Sequence, residues 1–364
     1  MSMKKLLLLL IFSSSVALAQ NLRLVSNLPS KLNETSGLIA KTNNSFWTHN
    51  DSGDGPILYK IDSNGNQIDS VYLNGITAVD FEDITQDNLG NYYVGDFGNN
   101  NHNRTNLVVY KLPNLDTVTG NNITPEAIYF NYPDQLTFPD TNQDKDCEAL
   151  FHHNGNLYIL TKNWGTSGYS KLYQLPDSAG NYPALLLDSV MTPLVTGADI
   201  HSSGKLAILS MDRIVIFDNY TGSDFFNGRR STFYFSLTQK EGVSFLNSQT
   251  LYITQENNQF FPGAKLYVLN FSPFLSAITI EKSTMITAMP NPASEQLIVS
   301  INDLENPPNE MSYRVMNTQG KIVMENSFGF QSEFTLFLSE LNPGYYHLQI
   351  TLGNQQVVKP FIKN

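Results

Sequence analysis

The chain reads as an all-β protein: a five- or six-bladed β-propeller followed by a small immunoglobulin-like β-sandwich. Three observations predict this. The 364 residues, about two domains' worth, are rich in aromatics (18 Tyr, 22 Phe) and carry no long amphipathic helical pattern. A two-strand unit whose first strand tends to be acidic recurs five times between Thr35 and Thr254. After Ser272 the pattern changes, and from Ala288 about six or seven short strands alternate with turn residues.

The N-terminal residues set the compartment. Lys4-Lys5, the apolar run Leu6 to Phe12 and the Ala17-Leu18-Ala19 site predict a secretory signal peptide over 1–19, cleaved before Gln20. The run is too short to span a bilayer, and no later stretch is long and apolar enough, so no transmembrane segment is expected. The net charge of -11 argues against nucleic acid and anionic membrane as partners. Cys147 is the single cysteine, so there is no internal disulfide, and it is expected to be a small buried residue rather than a nucleophile.

The expected propeller covers 20–275. Its five inner hairpins begin at Thr35, Phe81, Cys147, Gly197 and Lys240, each followed by two further strands. The fourth strands are expected at Gln67 to Leu73, Ala127 to Tyr132, Leu185 to Val190, Thr232 to Leu237 and Ala277 to Glu281. The repeat length of roughly 45 to 65 residues suits a propeller blade. A sixth unit has two candidate places: the interval between Tyr93 and Cys147, or closure by the N-terminal strand Asn21 to Asn27. A linker is expected over 276–287 and the sandwich over 288–364.

The sandwich carries a resemblance. Pro290-Asn291-Pro292-Ala293-Ser294 precedes an alternating strand; Asn317-x-x-Gly320-Lys321, Leu341-x-Pro343-Gly344-Tyr345-Tyr346 and a basic last strand follow. In this order they resemble the type A C-terminal sorting domain of the type IX secretion system, known from Gram-negative bacteria of the Bacteroidetes lineage. The resemblance implies export through the periplasm and recognition by the outer-membrane translocon. It also implies usual removal of the domain, with release or attachment at the cell surface.

The chemistry is expected at the channel. Inner strands line the axis of a propeller, and at the aligned inner positions stand Ser36, Glu82, Asp83, Glu148, Asp199 and Glu241. Carboxylates in several inner strands exceed what packing needs, and a calcium ion would offset their repulsion. The alternative reading is that they pair with Lys162, Arg213 or Lys240, or face solvent. A second polar cluster, His49, Asp51, Asp96, Asn99, Asn100 and Arg104, reads either as turn chemistry or as a ligand pocket at one mouth. Asp140-x-Asn142-x-Asp144-x-Asp146 alternates oxygens without the glycine and glutamate of an EF-hand. No zinc spacing, P-loop, dinucleotide fingerprint or Gly-x-Ser-x-Gly is present.

The inner-strand glutamates are loosely similar to those of calcium-dependent propeller hydrolases, the gluconolactonase and paraoxonase group and the esterase-like phytases. That resemblance implies a metal held by Glu82, Glu148 and Glu241, with His49, Asp51 or Asp96 as base candidates. Two readings stay open: a propeller that binds an extracellular ligand, or a metal-dependent hydrolase of esters, lactones or phosphoesters.

Overall fold

The computed structural model describes residues 22–164, 167–260, 262–270, 285–302, 307–317, 321–352 and 355–364. The expected signal peptide and most of the expected linker lie outside the described residues.

Five antiparallel sheets follow one another along the first part of the chain. The first starts at its inner edge with Thr35–Thr42, then Ser45–Asn50, Ile57–Ile61 and Gln67–Leu73. The second runs Phe81–Gln86, Tyr92–Asp96, Leu107–Leu112 and Glu126–Asn131. The third is Asp146–His153, Asn156–Lys162, Tyr169–Pro176 and Leu185–Met191, and the fourth Val195–Ile200, Leu206–Ser210, Arg213–Asp218 and Arg229–Tyr234. The fifth has Lys240–Asn247, Thr250–Gln255 and Lys265–Asn270. Its fourth strand is Leu22–Asn27, which pairs antiparallel with Lys265–Asn270. The strand expected at Ala277 to Glu281 lies outside the described residues, and the N-terminal strand takes the outer place in this sheet.

The five inner strands contact one another in chain order, and the fifth meets the first, closing a ring. Five wedges of apolar side chains fill the gaps between neighbouring sheets. Trp47 and Leu58 meet Tyr92 and Val94 between the first and second; Val109 meets Ile159 between the second and third. Phe151 meets Ile208, Leu209 meets Ile253, and Tyr252 and Leu266 meet Phe46 and Tyr59 across the closure. Second strands such as Tyr92–Asp96 and Leu206–Ser210 are therefore buried on both faces. This radial packing is the propeller architecture. Between Tyr93 and Cys147 the described residues complete the second sheet and add Asn122–Ile123 to the edge of the first; they form no further sheet. Gly180–Pro183 covers the edge of the second in the same way. Such additions shorten the exposed edge that an open blade would offer to another chain.

The C-terminal part is a sandwich of a three-stranded sheet (Met285–Met289, Gln296–Asn302, Glu333–Phe337) and a four-stranded one (Ile322–Gly329, Glu310–Asn317, Gly344–Leu352, Gln355–Lys363). Strict alternation puts Leu297, Val299 and Ile301 of one sheet against Leu348, Ile350 and Leu352 of the other. Its first strand begins inside the expected linker. Cys147 is buried, and burial pushes its thiol well above the ordinary range, which suits a packing role.

Candidate metal centre at one mouth of the ring

The inner hairpins share one irregularity. In all five, the ladder slips at the same place: between Thr35 and Leu38, Phe81 and Asp83, Cys147 and Ala149, Val195 and Gly197, and Lys240 and Val243. The residues passed over include Ser36, Glu82, Glu148, Thr196 and Glu241. A bulge releases a residue from the pleat and re-aims its side chain. All five are at most 5% exposed.

At this end of the ring, one carboxylate oxygen each from Glu82, Asp146 and Glu148 lie within 4.8 Å of one another. Lys162, from the end of the neighbouring second strand, donates to Glu148 Oε1 at 3.1 Å. Burial alone would lower the ammonium's pKa, but Glu148, Glu241, Glu82 and Asp146 outweigh it and hold Lys162 charged. Burial pushes Glu82 up, and Glu148, Asp80 and Asp146 push it further. Glu148 and Glu241 are also raised by burial, with Lys162 opposing. Two buried oxygens here lack a hydrogen-bond partner, Glu241 Oε2 and Thr196 Oγ1. A Cβ on Gly98 would stand 2.1 Å from Glu82 Oε1, so only glycine lets this loop lie against the carboxylate.

The rim adds more acid. Asp51 is raised to about 7 by burial and by Glu34. Asp80 is raised to about 6 by burial and Asp146, and Glu256 to about 9 by burial and Glu241. The inner group of Glu82, Asp146, Glu148 and Glu241 faces one lysine. A donor set made only of oxygens, with unpartnered buried members, fits a hard cation such as calcium.

The remaining sequence candidates have other surroundings. Asp83 accepts from the Ile84 and Leu150 amides at 2.8 Å and the Ala198 amide at 3.2 Å. Asp199 accepts from Ile200 and Phe245 N–H at 2.8 and 2.7 Å. Inner strands are sheet edges whose N–H groups need acceptors, and these two carboxylates supply them. The ladder register puts Thr196, not Asp199, at the position equivalent to Glu82. His49 is fully buried, with Nδ1 3.1 Å from Asn50 O and its ring edge-on to Phe81; burial lowers its pKa to about 4. Asp96 accepts from the Val79 and Asp80 amides and from Arg104. Asn99 organises its own loop through the Asn103 and Arg104 amides, while its N–H donates to Asp146 at 2.5 Å. Asn100 is exposed. In the acidic loop, Asp144 pairs with Lys145 and Lys171, and Asp146 alone reaches the centre.

Sequence reasoning did not single out Asp146 as a centre residue, and it missed Asp80, Glu256 and Thr196. Asp80 and Asp146 directly precede or open an inner strand, which is the signal that would have found them. Trp164 is 45% exposed and donates to Asp146 Oδ2 at 2.6 Å. A groove of about 440 Å³ runs along the outer strands of the second sheet, lined by Tyr129 and Tyr182.

Residues 287–364 match the secretion system C-terminal sorting domain. The chain thus carries a type IX sorting domain behind a β-propeller and is exported to the cell surface or secreted. No helix among the described residues is long and apolar enough to cross a membrane. No curated protein matches the chain. Among solved structures, a gluconolactonase from Xanthomonas campestris is 14% identical over 65% of this chain and 72% of its own, with a TM-score of 0.38. A putative gluconolactonase is 12% identical over 68% and 97%, at 0.36. The extracellular domain of a putative hybrid two-component system from B. thetaiotaomicron is 13% identical over 91% and 56%, at 0.33. At such scores the propeller architecture rests on the sheets and wedges themselves.

Proposed function

We propose that the exported propeller holds one calcium ion at the acidic mouth and uses it to bind an oxygen-rich extracellular ligand. Glu82, Asp146, Glu148 and Glu241 are the inner ligands, with Thr196 Oγ1 beside them. The observation that carries this reading is the charge balance: four buried carboxylates face one ammonium, Lys162. Burying like charges without compensation is costly, and a divalent cation offsets it. Calcium also leaves coordination positions for ligand oxygens. The secretory leader over 1–19 and the boundaries at 275 and 288 belong to the same reading.

A second reading is hydrolysis of an ester, lactone or phosphoester. A bound cation would supply Lewis-acid stabilisation there. Asp51 favours it, because a rim carboxyl raised to about 7 holds or releases a proton near neutral pH. Melting of the purified chain with calcium or with chelator tests the cation, and an ester and phosphoester screen under both conditions separates the two functions. Calcium-dependent stabilisation without turnover supports the binding reading. Chelator-sensitive turnover supports the hydrolase, and neither effect removes the metal centre altogether.

A further inference from the structure

The rim of the acidic mouth is uneven. The loops joining second to third strands end the walls of this mouth, and four of them are long: Asn50 to Ile57, Asp96 to Leu107, Lys162 to Tyr169 and Gln255 to Lys265. In the fourth sheet only Met211 and Asp212 stand between Ser210 and Arg213. The rim therefore has a notch there.

The sorting domain occupies it. Tyr345 Oη donates to Asp212 Oδ2 at 2.8 Å and accepts from Arg213 Nη2 at 3.0 Å. His347 Nε2 is 3.5 Å from Asp212 Oδ2, and its ring stands edge-on to Tyr234 and Tyr345. Asp212 and Arg213 also hold each other through two bonds, 2.6 and 2.8 Å long. Alternation along Gly344–Leu352 sends Tyr346, Leu348 and Ile350 into the sandwich core, so His347 points away from it. It is nevertheless only 8% exposed. Lys359 of the adjacent strand is lowered by burial and by Arg230 and Arg213 of the fourth sheet.

We propose that the two-residue turn at Met211-Asp212 is a docking seat for the chain's own sorting domain, which screens the acidic mouth from the side of the fourth sheet. The contact carries directed bonds to a charged pair beside the ring contacts of His347 with Tyr234 and Tyr345. It fixes one orientation of the sorting domain on the propeller and leaves access to the centre from the long-loop side. The seat stands whether or not the centre binds a cation.

Small-angle scattering and hydrogen exchange on the full chain test this. The wild type should scatter as one compact body, with the amides of the Met211-Asp212 turn protected. Tyr345→Phe combined with Asp212→Ala should enlarge the maximum dimension and speed exchange at that turn by about tenfold or more, since each bond to a charged group is lost. Exchange in the first three sheets should not change. A wild-type profile of two independent bodies would overturn the proposal, even if the variant does not fold. So would a variant whose profile and exchange match the wild type.

Discussion

Glu82 and Asp83 are neighbours on one inner strand, yet they live in opposite electrostatic surroundings. Asp83 is met by three backbone N–H groups from three inner strands. Glu82 faces Glu148 and Asp146, with the Lys162 ammonium bonded to Glu148 rather than to it. Both are buried and both are raised, burial being the first cause in each. The ring wall thus supplies its own donors around Asp83 and Asp199, while the mouth is left short of positive charge. A buried carboxylate in a propeller channel is therefore no sign of a metal by itself; the sign is a carboxylate whose neighbours are other carboxylates.

The comparison breaks most visibly at Lys162. Lys162→Met removes the one cation of the inner group, and unpairing a buried ion pair costs about 3–5 kcal/mol. Urea unfolding in chelator should show a loss of that size, and added calcium should restore much of it. Asp83→Ala orphans three amides, at about 1–3 kcal/mol each for unsatisfied buried groups, partly relieved by water. Its loss in the same measurement should be nearly the same with calcium as without, because the wall does not use the ion.

A smaller effect is expected from pH. A carboxyl raised in the folded state binds more protons there than when unfolded, so stability falls as pH rises from the unfolded value toward the folded one. Among the mouth carboxyls, the window for Asp80 runs from about 4 to about 6, and for Asp51 to about 7. Metal-free protein should therefore melt several degrees lower at pH 8 than at pH 5, and saturating calcium should close the gap at pH 8. A melting temperature that rises across this range without metal contradicts the uncompensated mouth.

Much of this was legible in the sequence. The hairpin repeat exposed the sheets, because each blade is built from contacts near in sequence. Glu82, Glu148 and Glu241 stood at corresponding positions for the same reason. Ring closure left no local signal, since Leu22 pairs with Leu269 at the other end of the propeller. Asp83 and Asp199 looked equivalent to the glutamates because a strand repeats every two residues and the bulge shifts the face. Beyond the adjacent Ile84 and Ile200 amides, their partners lie 67 and 115 positions away for Asp83 and 46 for Asp199, beyond any local pattern. Asp146 was hidden in a run of oxygen-bearing residues in which Asp144 pairs with Lys145 and Lys171. The seat at Asp212 emerges only when the five rim loops are compared with one another.

Calorimetric titration of calcium into the full chain, beside Glu82→Gln and Asp199→Asn, tests the central claim most directly. One site per chain is expected in the wild type. Glu82→Gln should weaken it at least about tenfold, the loss of one charged ligand, and Asp199→Asn should leave it within about twofold. No binding heat in the wild type, or equal loss in both variants, would contradict a cation centre at the mouth.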